Sequence, residues 1–132
     1  MASRKNIHSG APWEAAVGYC RAVRVGEHIM VSGTAPVGAD GEVVGVGDAS
    51  RQAKRCIELI AEALQRAGGR LDDVLRTRMY VTDIGHWEDV GRAHQEAFGG
   101  VSPATTMVQV SALIGPDMLV EIEADALLPV NQ

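Results

Sequence analysis

Apolar residues recur along the 132-residue chain with two periods, and the changes of period mark its elements. Over 49–67, Ala53, Cys56, Ile57, Ile60, Ala61 and Leu64 follow three- and four-residue spacing and predict an amphipathic helix. Asp48 or Ser50 can cap its start, because a short side-chain oxygen accepts from an orphan backbone N–H. Gly68-Gly69 can end it, because glycine tolerates the left-handed conformation at the position after the last turn. Lys54–Glu58 and Glu62–Arg66 have the i,i+4 spacing of ion pairs on its wet side. A second helix is predicted near 86–98, with Trp87, Val90, His94, Ala97 and Phe98 as its stripe, Asp83 placed to cap it and Gly99-Gly100 to stop it.

Elsewhere the period falls to two. Cys20–Val25 and His28–Val31 read as short strands hinged at Gly26-Glu27, with Ile29 and Val31 on one side and His28, Met30 and Ser32 on the other. Val74–Thr82 places Leu75, Thr77, Met79 and Val81 on one face and Arg76, Arg78 and Tyr80 on the other. Ala104–Val110 and Leu119–Leu127 read as a final pair of strands joined through Ile114-Gly115-Pro116-Asp117. In the last strand Val120, Ile122 and Ala124 oppose Leu119, Glu121, Glu123 and Asp125. Val43-Val44 is a short apolar stretch after a turn at 39–42, and residues 1–12 read as a loose lead-in ending in the turn residues Ser9-Gly10-Ala11-Pro12. The expected order is β-β-(β)-α-β-α-β-β in one domain over 1–132, an α+β arrangement with both helices on one face of one sheet. The opposite face, half charged and half apolar, suits either solvent or a subunit interface.

Composition narrows the function. With 46% hydrophobic residues the chain can build a core, though one this short gains from oligomerisation. No apolar run reaches the length of about 18 residues that a membrane span needs. The charged N-terminus is not followed by the apolar stretch of a secretory signal, so the expected compartment is the cytoplasm. A net charge of −5 with no basic stripe argues against holding a nucleic-acid backbone. Cys20 and Cys56 have no metal or redox spacing and read as free apolar thiols. His86 and His94 lie eight apart on the second helix, but nothing completes a metal set, and Gly45-Val46-Gly47 is too short for a phosphate loop. No metal site is expected from these spacings.

Several segments, in order, resemble the RidA/YjgF family. Val31-Ser32-Gly33-Thr34-Ala35-Pro36 is similar to its second-strand turn, Asp48–Gly68 to its long helix, and Val74–Asp83 to its central strand. Pro103–Val110 together with Val120-Glu121-Ile122-Glu123-Ala124 resembles its C-terminal signature. The resemblance implies a chorismate-mutase-like fold with a mixed sheet. It also implies a homotrimer with inward-facing sheets, ligand clefts between subunits, and hydrolysis of reactive enamines or imines to keto acids and ammonia with no metal or organic cofactor.

Carried over by position, the resemblance implies that Tyr19, after Gly18, orients a ligand, that Ser32-Gly33 bonds it and lets it approach closely, and that Glu121 directs the attacking water. Thr105, Met107, Gly91 and Arg78 are the further positions for ligand contact. Without the resemblance, Tyr19 would be an edge aromatic, Ser32-Gly33 a turn, and Glu121 and Glu123 solvated, with Glu123 a partner for arginine. The chain departs from the family at Thr105, where deaminases carry an arginine that grips the substrate carboxylate in a two-pronged salt bridge. Gly91 stands where an asparagine is common. Losing the arginine removes charge-assisted hydrogen bonds of about 1.5–3 kcal/mol each. Arg78 or Arg21 could replace that cation, or Arg78 could pair with Glu121, Glu123 or Asp125. Three functions are carried forward: hydrolysis of an imine, enamine or related C–N bond with weak activity on carboxylate substrates; a non-catalytic metabolite-binding or regulatory module; and, disfavoured by the acidic charge, an endoribonuclease.

Overall fold

The computed structural model describes residues 3–129. Six strands form one mixed sheet: β1 (Arg4–Ile7), β2 (Ala22–Val25), β3 (His28–Thr34), β4 (Val74–Val81), β5 (Ala104–Gln109) and β6 (Val120–Leu127). Their order across the sheet is β1-β2-β3-β6-β4-β5, with only β4 and β5 parallel. The helices are α1 (Pro12–Val17), α2 (Ala49–Ala67) and α3 (Trp87–Phe98). No helix among the described residues is long and apolar enough to cross a membrane.

The core lies between the sheet and the two longer helices. α2 buries Ala53, Cys56, Ile57, Ile60 and Leu64 as its spacing predicts, and adds Ala63 and Ala67 while Ala61 sits at the margin. The Asp48 side chain accepts from the Arg51 N–H at 3.0 Å, and Gly68 closes the helix at φ 95°, a left-handed backbone that favours glycine. From the sheet come Ile29 and Val31 of β3, Met79 and Val81 of β4, and Val120, Ile122 and Ala124 of β6. Cys20 and Cys56 are buried and unlinked.

Several expectations are corrected. Residues 4–7, read as lead-in, pair with β2 from Arg4↔Val25 to Ile7↔Ala22 and bury Ile7. A short third helix, α1, follows them. The last two strands are not neighbours. α3 carries the chain back so that β5 runs parallel to β4, and β4 therefore stands between β5 and β6. A register shift between Val74 and Arg76 turns Leu75 off the helix face and leaves it 56% exposed, while Val74 is buried in its place. Trp87 also leaves its stripe, at 56% exposed, and Ala93 takes the core position. Asp83 caps a single turn before α3, accepting from Gly85 N–H at 2.8 Å, instead of α3 itself. On α2 the ion pairs are Lys54–Glu96, joining α2 to α3 at 3.5 Å, and Arg55–Glu58 at 3.2 Å, in place of the two i,i+4 pairs expected.

Candidate functional site

Arg78 apart, the side chains singled out by sequence fall into two groups on opposite faces of the sheet. The first group gathers where β2, β3 and β6 adjoin, on the face away from the helices. α1 ends at Gly18, and Tyr19 N–H bonds Glu14 carbonyl oxygen at 3.0 Å, which sets the tyrosine at the mouth of β2. Glu14 itself is buried. Its carboxylate accepts from the Ser9 N–H at 3.1 Å and from the Ser9 hydroxyl, with His8 Nδ1 at 3.4 Å. Burial pushes this carboxyl up, but the bonds from Ser9 and His8 and the charge of Arg21 outweigh it and hold Glu14 below the usual carboxylate range. A depression of about 270 Å³ opens beside Tyr19, lined also by Arg4, Asn6, His8 and Cys20.

Arg21, at the entrance to β2, ties the group together. One guanidinium nitrogen donates to the Gly33 carbonyl, and its carbon lies 5.9 Å from the Tyr19 ring centroid. Ser32 is held on both sides: its N–H donates to Arg21 carbonyl at 3.0 Å and its hydroxyl to Cys20 carbonyl at 2.7 Å. The register between β3 and β6 shifts between Val31 and Thr34, so Ser32-Gly33 sits in an irregular step. At Gly33 the missing side chain is what matters. A Cβ there would lie 2.6 Å from Glu121 Oε2, so the carboxylate rests against bare backbone. Tyr19, Ser32, Gly33 and Glu121 are thus brought together, with Arg21 between them.

Glu121 is half-buried, and burial raises its carboxyl above the ordinary range; Arg21 pulls it back and Glu123 adds to the rise. A carboxylate of raised basicity, partly shielded and next to a cation, is equipped to accept a proton from water.

The second group lies at the β5 edge. Thr105 is the register partner of Thr77, so both side chains project on the helix side. Thr105 Oγ1 lies 2.7 Å from Thr77 Oγ1, which in turn lies 2.8 Å from His94 Nε2 of α3. Thr77 and His94 are buried; Thr105 is exposed. Burial lowers the affinity of His94 for its proton and favours the neutral ring. Met107, on the same face, is half-buried against the core. A Cβ at Gly91 would meet nothing within 4 Å.

Arg78 belongs to neither group. It pairs with Asp125 at 3.2 Å on the acidic face. Glu123, expected to pair with arginine, instead accepts from the Tyr80 hydroxyl, and that bond together with burial raises the tyrosine's pKa. The link from His94 through Thr77 to Thr105 had no sequence signal, since its members are 17 and 28 residues apart. Arg21 was visible only as a cation two residues after Tyr19.

A mixed six-stranded sheet with helices on one face and an irregular Ser-Gly step against a half-buried glutamate on the other defines a small α+β protein of the kind the motifs indicated. The family described as "Endoribonuclease L-PSP" matches residues 9–128, and the chain belongs to that family, the RidA/YjgF family. It is 35% identical to an uncharacterized protein of Streptomyces coelicolor over 122 residues, covering 92% of this chain and 90% of that one. It is 34% identical to the 3-aminoacrylate deaminase RutC of Acinetobacter baylyi over 108 residues, 82% of this chain and 85% of that one. Among solved structures, a YjgF/YER057c/UK114-family member from Mycobacterium tuberculosis superposes with a TM-score of 0.87 at 48% identity, covering 96% of this chain and 100% of that one.

Proposed function

We propose that this protein binds a small metabolite in clefts between the subunits of a homotrimer and hydrolyses an imine, enamine or related C–N bond there. Activity on the usual amino-acid-derived carboxylates is weak, because Thr105 offers no charge to hold them. The observation that carries this reading is Glu121, half-buried, raised in pKa and seated against Gly33 beside Arg21. Its carboxylate takes a proton from water as the water oxygen adds to the C=N carbon. The same proton, returned to nitrogen, gives the carbinolamine. The carboxylate then takes the carbinolamine hydroxyl proton and passes it to nitrogen, so that the C=O bond forms, the C–N bond breaks and ammonia leaves. Tyr19 and Ser32 orient the ligand; the Ser32 hydrogen is committed to the Cys20 carbonyl, so its hydroxyl meets a ligand as an acceptor.

Two features support a site shared between copies. Glu121 and Thr105 lie on opposite faces of one sheet, so a single chain cannot bring both to one small ligand. The helix-free face also leaves Met30 61% exposed and Val108 43% exposed, apolar area suited to burial against another subunit. The relative named 3-aminoacrylate deaminase fits the same chemistry.

Ammonia release from freshly generated imines tests the reading. Glu121→Gln is expected to lower the rate by about 10²-fold, the usual weight of a general base. A Gln variant as fast as the wild type would remove Glu121 from the chemistry. The uncharged Thr105 favours a second reading, a metabolite-binding module without turnover. Ligands that raise the melting temperature and are recovered unconsumed would support it.

A further inference from the structure

The buried pair Thr77 and His94 has no part in the chemistry described above, yet it ends at Thr105, the position where the family resemblance led to the expectation of an arginine. Four observations bear on it. The three polar side chains form an unbroken chain from α3 through β4 to the edge strand β5, at 2.8 and 2.7 Å. Two are buried and one is open to a ligand. No member carries a formal charge while the His94 ring is neutral, as its burial favours. The arginine of α3, Arg92, faces Asp89 at 3.7 Å.

We infer that Thr77 and His94 are positioning residues that fix the direction of the Thr105 hydroxyl, and that Thr105 recognises an uncharged carboxamide where relatives recognise a carboxylate. This rests on the cleft proposed above. Each hydroxyl has one hydrogen, so the chain has two consistent states. If His94 Nε2–H donates to Thr77, Thr77 donates to Thr105, and the Thr105 hydrogen points outward. If Nε2 is bare, the directions reverse and Thr105 presents only lone pairs. A primary carboxamide carries both a carbonyl oxygen and an N–H, so it answers either state. A carboxylate brings a full charge that no cation in this chain of groups offsets, and its desolvation is left uncompensated.

The test uses the full-length protein with two probes, pyruvate, the simplest keto-acid product, and pyruvamide, its amide. Titration calorimetry gives both affinities, and ¹⁵N spectra of labelled histidine report the His94 tautomer. The wild type should bind pyruvamide about tenfold more tightly than pyruvate, the difference of one good neutral bond. His94 should show a single neutral tautomer. Thr77→Val should erase that preference and shift the Nε2 resonance, whereas Thr77→Ser, which keeps the hydroxyl, should restore both. Thr105→Val, on the exposed edge strand, should erase the preference without touching the core. Thr105→Arg should invert it. If Thr77→Val and Thr105→Val keep the wild-type preference while Thr105→Arg gains pyruvate, the relay is wrong and the cleft stands. If the wild type binds neither probe and Thr105→Arg binds no pyruvate, the cleft reading itself falls, and this inference with it.

Discussion

Glu121 is the residue at which stability and chemistry oppose each other. Its pKa is raised in the folded protein, so the folded state holds a proton that the unfolded chain has already lost. The stability this contributes is present below the ordinary glutamate value and is lost as pH rises through the folded value. From about pH 4 upward, therefore, the ionised carboxylate is a cost of the fold. Glu121→Gln should melt higher than the wild type at pH 7 and at nearly the same temperature near pH 4, measured by scanning calorimetry at both. An unchanged difference across that range would mean that its neighbours compensate it fully. That Glu121, Ser32 and Gly33 are candidates for one site was legible from short motifs, because those motifs encode a fixed step in one strand and a fixed face on another; the structure places Glu121 against Gly33. Arg78 was legible as a cation with three carboxylates open to it, Glu121, Glu123 and Asp125; only the fold selects Asp125, 47 residues away.

At the scale of elements, α2 shows how local rules become stable structure. Its cap, stripe and closing glycine all act within one or two turns, and each appears where the sequence predicts it. Asp48→Ala removes the oxygen that satisfies the Arg51 N–H and should cost about 1 kcal/mol, read as a melting temperature lower by about 3–6 °C. A variant unchanged in melting would show that the cap is replaced by water at no cost. The ion pairs were legible only as charges. Lys54 reaches Glu96 on α3 instead of Glu58 on its own helix, because the packing of the helices brings the closer partner. β1 and α1 escaped notice for a related reason: four edge-strand residues and six helical ones carry too little periodicity, and what holds them is pairing to β2 and the Glu14–Ser9 bonds.

The whole molecule presents a helix-free face that mixes the Tyr80–Glu123 and Arg78–Asp125 contacts with exposed Met30, Val108 and Leu127. A face of this composition is stable in water but gains from being covered. The wild type should sediment at about three times its 14.0 kDa chain mass, and Met30→Glu with Val108→Glu should drive it toward the single-chain mass. A wild type that sediments as one chain would remove the shared cleft and the proposed hydrolysis together.

By itself the sequence determined the elements whose signals are local: the stripe and caps of α2, the alternation of β3 and β6, and the ordered motifs that mark the family. It did so because side chains two to four residues apart share a face whatever the rest of the chain does. Only the tertiary structure decided which strand lies beside which, that Leu75 turns outward at a register shift, that β4 separates β5 from β6, and that Thr105 is wired to a buried histidine. These depend on pairings between residues far apart in the chain, where hydrogen-bond register and close packing, not local periodicity, select the partner.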